Sequence, residues 1–499
     1  MKLVDRLPRG PALALDDGHH AWSRDDLHAA IDDGCARLEA RGIGRGDAFG
    51  WLGANSVSML AALFACERRG ARFVPLNWRL AAPELRAIAE HAGLRAWHAD
   101  PGFDALDGLA FQPLPAVSAH DTAHDTAHDD LLLAYTSGTT GQPKGALHTA
   151  AAMGANIDAA IDAQGLAAAT RTLAVLPLFH VGGLCIQVLP TLAAGGAVRL
   201  QPRFDADAWF DALQVWRPTT SLLVPATMRA LIDHPRWANA DLGTLAFVNS
   251  GSQIVPRAII DAFHARGVPV CQVYGATETG PVSLVLRPAE AMANPGKAGR
   301  PALGVEVRLV DGELWVRGPN LARGYHRQPD APAFADGWFR SGDLARCDDH
   351  GLYEIVGRRD DLIISGGENI HPAEIENLVN GWPGVAEAVV VGMPDPRWGE
   401  VPVLVVEPRP GVRVDVDALM ASLDERLARF KRPRRVVLVP SLPRTALGKV
   451  KRAALLTELA APAGAATSTA ERLARLGIHV LPHGDHVVTN EFVNRTLDE

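Results

Sequence analysis

One stretch constrains this chain more than any other: an apolar strand that runs directly into a loop almost without side-chain bulk. Leu131-Leu132-Leu133-Ala134-Tyr135 leads into Thr136-Ser137-Gly138-Thr139-Thr140-Gly141-Gln142-Pro143-Lys144-Gly145. The first part asks for a buried sheet and the second for an open end to it. Three glycines, four hydroxyl residues and one lysine within ten positions suit a phosphate cradle. Glycine lets backbone N–H groups approach an anion, hydroxyls donate, and lysine adds charge. The spacing is not that of a Walker A loop, because Lys144 is followed by Gly145 rather than by Ser or Thr. On composition alone, a cradle and a solvated polar loop explain the stretch equally well.

The surroundings are those of an α/β protein. Residues 23–41 read as an amphipathic helix, capped by Ser23 with Asp26 three residues on and closed by Gly42. Apolar runs at 49–52 and 73–75 then alternate with helical stretches at 56–69 and 83–92, which argues for βα units and a largely parallel sheet. Thr172 to Val198 carries no Asp, Glu, Lys or Arg. Pro177, Pro190 and four glycines interrupt it, so it reads as a buried strand, loop and helix rather than a membrane span. Asp311-Gly312 between two β-rich arms at 305–318 signals a hairpin. From about residue 357 a compact α+β pattern begins: helix 372–380, strands 386–391 and 402–407, helix 417–429 and strand 435–439. An Ala/Thr/Pro/Gly-rich connector follows Leu459, and the tail suggests a helix at 471–476 and apolar alternation around 478–488. The expected fold class is therefore α/β. A large N-terminal domain has mostly parallel sheets flanked by helices, and a small α+β C-terminal domain follows.

Charge and cysteine content exclude some functions. Lys+Arg 49 against Asp+Glu 57 leaves −8, which gives no general attraction to nucleic acid or an anionic membrane. Five scattered cysteines with no CxxC spacing point to a reducing compartment and no structural zinc. No apolar segment follows the first residues as in a signal peptide, so a cytoplasmic protein without integral membrane association is expected. The repeat at 119–130 places His120, His124 and His128 four apart. Nothing apolar anchors it, so it reads as a solvated loop rather than a metal site.

Further motifs remove the ambiguity of the loop. Leu176-Pro177-Leu178-Phe179-His180, Tyr274-Gly275-Ala276-Thr277-Glu278, Trp338-Phe339-Arg340-Ser341-Gly342-Asp343, Gly357-Arg358-Arg359-Asp360, Ser365-Gly366-Gly367-Glu368 and Pro443-Arg444-Thr445-Ala446-Leu447-Gly448-Lys449 follow it in order. With TSGTTGQPKG they resemble the AMP-forming adenylating enzymes: acyl-CoA synthetases, luciferase and the adenylation domains of peptide synthetases. The resemblance spans roughly residues 20–457 and is nearest to fatty-acid or aryl-acid CoA ligases.

It implies an acid–CoA ligase that makes acyl-AMP and pyrophosphate from a carboxylic acid and ATP, then acyl-CoA and AMP. The co-substrates would be ATP and CoA, with Mg²⁺. Two anions must meet at the α-phosphorus, so positive charge and oriented donors are needed there. By resemblance Lys449 supplies that charge. Thr277 touches the α-phosphate, Glu278 holds Mg²⁺, and Asp343 and Arg358 contact the ribose. Thr136, Ser137, Gly138, Thr139, Thr140, Gly141 and Lys144 hold phosphate, and Gly251, Ser252, Gln253, Tyr274 and Gly275 line the adenine slot. His180 would stand beside the acyl carboxylate and the thiol path. Val181, Gly182, Thr227, Met228, Gly251, Ala276 and Val282, with His180, are the expected acyl pocket. None is a cation, which favours a fatty or aromatic acid over a dicarboxylate. Residues 1–359 would form the adenylate-forming domain and 360–459 a mobile lid hinged at Asp360. The lid would bring Ser365, Gly366 and Gly367 to CoA. Residues 460–499 would be a linker and a tail without an assigned role.

The chain departs from the family pattern at Ile364, where many relatives carry lysine before Ser-Gly-Gly, so no lysine role transfers there. Two other readings stay open. One is an acyl-AMP ligase loading a carrier-protein thiol; the other is a nucleotide-binding homologue without catalysis. Both a monomer and a homodimer are compatible with the sequence.

Overall fold

The computed structural model describes residues 2–103, 130–136, 144–328, 331–366, 368–444 and 450–460, and the backbone of 479–482. His120, His124, His128 and the helix expected at 471–476 lie outside the described residues. The chain forms two compact units. The first comprises Met1–Val255, Ile259–Ser341 and Cys347–Glu354; the second comprises Pro256–Ala258, Gly342–Arg346 and Ile355–Glu499.

Two large sheets dominate the first unit, which also holds Glu306–Val310, Glu313–Arg317 and Phe334–Ala335 of a third, five-stranded sheet. The nine-stranded sheet has the order Arg300–Pro301, Leu284–Val285, Val270–Tyr274, Phe247–Gly251, Thr220–Leu223, Arg171–Ala174, Ala197–Leu200, Leu13–Asp16 and Ala21–Ser23. Its six inner strands, from Val270–Tyr274 to Leu13–Asp16, are parallel, and the strands beyond them at both edges are antiparallel. The six-stranded sheet runs Gly324–Tyr325, Lys144–Thr149, Asp130–Thr136, Arg72–Leu76, Ala48–Leu52 and Leu94–Ala99. Its last four strands are parallel. The βα alternation of the sequence becomes two sheets because each helix must bury its apolar face on a sheet.

Local signals act where expected. Ser23 accepts from the Asp26 N–H at 3.1 Å and starts helix Arg24–Ala40. Leu27, Ile31 and Leu38 of that helix share a core with Leu60 and Leu63 of helix Val57–Arg69. The charge-free stretch is strand Arg171–Ala174 followed by helical turns Val181–Gly183, Leu184–Val188 and Leu189–Ala193, the middle one π-helical. Among the described residues, no helix is long and apolar enough to cross a membrane. Strands Glu306–Val310 and Glu313–Arg317 pair through Asp311 (φ 50°) and Gly312 (φ 80°), the two positive-φ positions of the expected tight turn.

The two faces of the nine-stranded sheet differ. Leu223 and Val248 point into a core with Trp209, Met228, Leu231 and Phe263. Thr220 pairs with Phe247 and Leu222 with Asn249, so alternation puts Thr220, Leu222, Asn249 and Gly251 together on the opposite face.

The second unit has its own sheet, with the order Glu368–Ile370, Ile363–Ser365, Gly399–Pro408, Arg435–Leu438 and His479–Pro482; Val385–Asp395 pairs with Gly399–Pro408. Helices Pro372–Val379 and Val416–Arg426 contribute Ile375, Val379, Leu419 and Leu423 to one core with Leu404 and Val436. Val403, Val405 and Val437 meet Leu455 in a second core on the opposite face. The central hairpin is longer than the apolar pattern suggests. Its polar end is ordered by Asp395, which accepts from the N–H groups of Arg397 and Trp398 at 2.8 and 2.9 Å. From the tail, His479–Pro482 pairs antiparallel with Arg435–Leu438.

Candidate active site

In the first unit, the stems of the glycine-rich loop are joined. Thr136 pairs antiparallel with Lys144, and the Thr136 hydroxyl lies 3.4 Å from the Lys144 carbonyl. Ser137, Gly138, Thr139, Thr140 and Gly141 lie outside the described residues. The Lys144 ammonium stands 5.8 Å from the centre of the Tyr325 ring. Tyr325 reaches this place because Gly324–Tyr325 pairs with Lys144–Thr149. Its hydroxyl donates to Glu278 Oε1 at 2.6 Å.

Glu278 sits in the short turn Thr277–Thr279, which is held from several directions. His148 Nε2 donates to the Thr277 carbonyl at 2.7 Å, the Ala322 N–H donates to the Glu278 carbonyl at 2.8 Å, and Asn320 Nδ2 donates to the Thr279 carbonyl at 2.6 Å. Burial pushes the His148 imidazole down to about 4. It is neutral at neutral pH, and the carbonyl opposite Nε2 requires the proton on that nitrogen. Tyr325 occupies one Glu278 oxygen; a carboxylate oxygen is the kind of donor a hard cation takes.

His180 precedes the turn Val181–Gly183, with its ring 4.6 Å from that of Phe179. Burial, helped by the charge of Arg79, pushes it down to about 3, so it too is neutral. Arg79 and Arg203 both stack on Trp78, at 4.9 and 4.2 Å from its ring centre. This cationic cluster next to His180 was not among the pocket residues expected from sequence.

Gly251 and Gly275 show why these positions lack side chains. A Cβ on Gly251 would lie 2.4 Å from the Val273 carbonyl oxygen, and one on Gly275 would lie 1.7 Å from that of Pro281. Ser252 adopts φ 70° and is exposed, with Gln253 half-buried beside it. Tyr274 and Ala276 flank Gly275, and the Ala276 N–H donates to Thr279 Oγ1 at 2.9 Å. Val282 is buried; its N–H donates to Asn156 Oδ1 at 3.1 Å, and Asn156 Nδ2 donates to the Cys185 carbonyl at 2.8 Å. One side chain thus ties the segment after His180 to the segment after Gly275. A Cβ on Gly182 would meet nothing within 4 Å. Met228 belongs to the core on the other face of the sheet, and the Thr227 hydroxyl is engaged with the Val224 N–H and carbonyl at the start of its own helix.

In the second unit, Asp343 and Arg358 pair with each other, with Nε 2.9 Å from Oδ1. Asp360 is exposed in the turn Arg359–Asp361. Ser365 is buried, and Gly366 (φ 60°) donates its N–H to the Trp398 carbonyl at 2.7 Å. Ile364 is exposed. Gly367 and Lys449 lie outside the described residues. Arg444 and Val450 form an antiparallel bridge on either side of residues 445–449, and Arg444 is anchored on Glu387 and, at 2.8 Å, on Glu407. Among the described residues there is no cluster of three or more His, Cys, Asp or Glu able to hold a metal ion.

Sequence reasoning missed His148, Tyr325, Asn156 and Asn320. Their partners are distant in the chain; His148 and Asn156 show as polar side chains among apolar neighbours, whereas Asn320 and Tyr325 lie in polar, glycine-containing stretches that give no signal.

The AMP-binding enzyme profile matches residues 4–326, and the AMP-binding enzyme C-terminal domain matches 374–449. The chain belongs to the AMP-binding enzyme family. Within it, the chain is 44% identical over 463 residues to an indoleacetate–CoA ligase from Aromatoleum aromaticum, covering 85% of this chain and 91% of that one. It is 41% identical over 462 residues to a feruloyl-CoA synthase from an Amycolatopsis species, covering 88% and 94%. The ATP-bound structure of MatB from Rhodopseudomonas palustris superposes with a TM-score of 0.83 at 30% identity, covering 91% of this chain and 97% of that one.

Proposed function

We propose that this chain is an AMP-forming acid–CoA ligase whose acid is aromatic. It joins a carboxylic acid to ATP with release of pyrophosphate, then passes the acyl group from AMP to CoA. The observation that carries this reading is the 44% identity, over most of both chains, to a ligase named for an aromatic acid.

The residues take the following roles. Backbone N–H groups of the loop between Thr136 and Lys144 cradle the phosphates, and Lys144 adds charge. Mg²⁺ would be held by Glu278 and would neutralise phosphate charge. The Thr277–Thr279 turn presents Thr277 to the α-phosphate in a fixed position, because His148 and Asn320 hold its carbonyls. Neutral His180 lines the carboxylate's approach without trapping it as a salt. Lys449 brings positive charge between the carboxylate and the α-phosphate. Asp343 accepts from the ribose hydroxyls, with Arg358 holding its orientation. The lid, 360–459, swings about Asp360, and the Ser365-Gly366-Gly367 loop offers backbone groups to the pantetheine arm.

A panel of aromatic, fatty, amino and dicarboxylic acids with ATP, Mg²⁺ and CoA tests the reading, with AMP and acyl-CoA measured by mass spectrometry. AMP and an aryl-CoA are expected. ADP, or no nucleotide product with any acid, overturns the reaction class. Turnover confined to amino acids or dicarboxylates overturns the aromatic assignment. Replacing CoA with a holo-carrier protein separates the two thiol acceptors.

A further inference from the structure

Gln187 bonds to the sheet face that also carries Gly251. It lies in the π-helical turn Leu184–Val188 that follows His180, and is 1% exposed. Its amide nitrogen donates to Asn249 Oδ1 at 2.6 Å and Thr220 Oγ1 at 2.8 Å, with Gln164 Oε1 at 3.4 Å. The orientation of this amide is set by its neighbours. Gln164 uses its own nitrogen on the Ile186 carbonyl at 2.9 Å, so its oxygen faces Gln187. Asn249 also presents its oxygen. An amide between two acceptors must turn its NH₂ toward them. The Gln187 oxygen is left as the other end of the amide; it is buried, and among the described residues nothing donates to it.

The strand pattern places this group below the proposed site. Asn249 and Gly251 lie on the same strand and on the same face. Gly251 has no side chain, so the next side chain down that face belongs to Asn249, about 7 Å deeper along the strand. Thr220 lies on the neighbouring strand with the same facing. The site itself lies at the carboxyl ends of these parallel strands, the usual place for a ligand in an α/β sheet. On the reading above, an acid whose carboxylate is held there would send its ring down this face. Asn156 already satisfies the Val282 N–H and the Cys185 carbonyl, whereas the Gln187 oxygen has no donor among the described residues.

We propose that Gln187 is a specificity-determining residue whose side-chain oxygen accepts a hydrogen bond from the far end of the substrate ring. This rests on the aromatic-acid reading above and narrows it. The preferred acids carry an N–H or O–H donor on the ring, as an indole or a phenol does. A buried acceptor left unpaired is costly, so a ring of equal bulk without the donor is rejected. Asn249 and Thr220 act through Gln187 by holding its amide in register.

The test compares kcat/KM for acids matched in size: indole-3-acetate with 1-naphthylacetate, and 4-hydroxycinnamate with cinnamate. In the wild type, at least one donor-bearing acid is expected to exceed its match by about tenfold or more. Gln187→Met keeps length and bulk without the amide oxygen. It should bring that ratio near one, mainly by lowering turnover of the donor-bearing acid. Equal use of both members by the wild type overturns the proposal while leaving the aromatic reading intact. A ratio preserved in Gln187→Met also overturns it and makes the cluster a structural network only. If no aromatic acid releases AMP, both readings fall together. Should Gln187→Met not fold, the wild-type ratios decide alone: about tenfold in either pair supports the proposal, and parity in both overturns it.

Discussion

The candidate residues of the two units are held by different forces. In the first unit, neutral hydrogen bonds inside the protein fix the parts: His148 on Thr277, Asn320 on Thr279, Asn156 between Cys185 and Val282, Gln187 on Asn249. In the second unit, the described residues flanking the candidate positions are held by partly exposed ion pairs, Arg358 with Asp343 and Arg444 with Glu387 and Glu407, as is Lys431 with Glu374. The Arg452–Glu376 pair deeper in that unit is the buried exception. Buried neutral bonds are not screened by salt, and they are costly to leave half-made. Ion pairs near the surface are individually weak and easily exchanged. The first arrangement resists rearrangement, and the second lets partners exchange at low cost; the fixed nucleotide and acid site and the moving lid proposed above would need these two behaviours.

The comparison breaks most visibly at Lys449. Lys449→Ala should slow acyl-AMP formation by about a hundredfold or more, because charge stabilisation at the reacting phosphorus is lost. Thioester formation from supplied acyl-AMP should be nearly unchanged. Pyrophosphate exchange measured beside single-turnover thioester formation checks this, and equal losses in both contradict it.

Acid titration probes the buried half next. The unfolded chain takes up a proton on His148 near pH 6.5, whereas the folded protein does so only near about 4. The stability contribution is therefore full above about pH 6.5 and lost as pH falls toward about 4, by at most about 3 kcal/mol for this residue. Urea unfolding at about pH 7 and about pH 4.5 should show a larger loss in the wild type than in His148→Gln. A loss of the same size in both refutes this account of His148.

Neutral-pH variants of the same residue sharpen the contrast. His148→Ala leaves the Thr277 carbonyl without its buried donor and should cost about 1–3 kcal/mol in stability, with a raised KM for ATP. His148→Gln brings an N–H to the same side and should recover most of both. If alanine and glutamine are equally damaged, the histidine matters by shape and not by its bond. The smallest effect belongs to the second unit. Arg358→Ala should change stability by less than about 1 kcal/mol, while raising the KM for ATP more at low salt than at high. A salt-independent change would mean that Arg358 is held like the buried half.

Much of this architecture could be read in the chain before any coordinates. Ser23 with Asp26, Asp311-Gly312 and the strand before the glycine-rich loop are local signals, and local signals survive in any context. The order of the motifs carried the family, and with it the expected site residues. What stayed hidden depends on contacts between distant residues. His148 bonds to a residue 129 positions away, and Asn156 to one 126 away. No periodicity encodes such a meeting. Gln187 is a polar residue in an apolar stretch, and its partners arrive from two strands and a helix distant in the chain. Several sheets were expected, but which strands share a sheet was equally invisible, since a parallel strand does not announce its neighbour.

Gly251 and Gly275 have a practical consequence for redesign. Both press bare main chain against another carbonyl, closer than any added carbon tolerates. A mutagenesis library aimed at these two positions would return broken proteins rather than new preferences. An engineer wishing to retune which acids are accepted would find the adjustable ground lower down, among side chains that can be exchanged for others of the same volume.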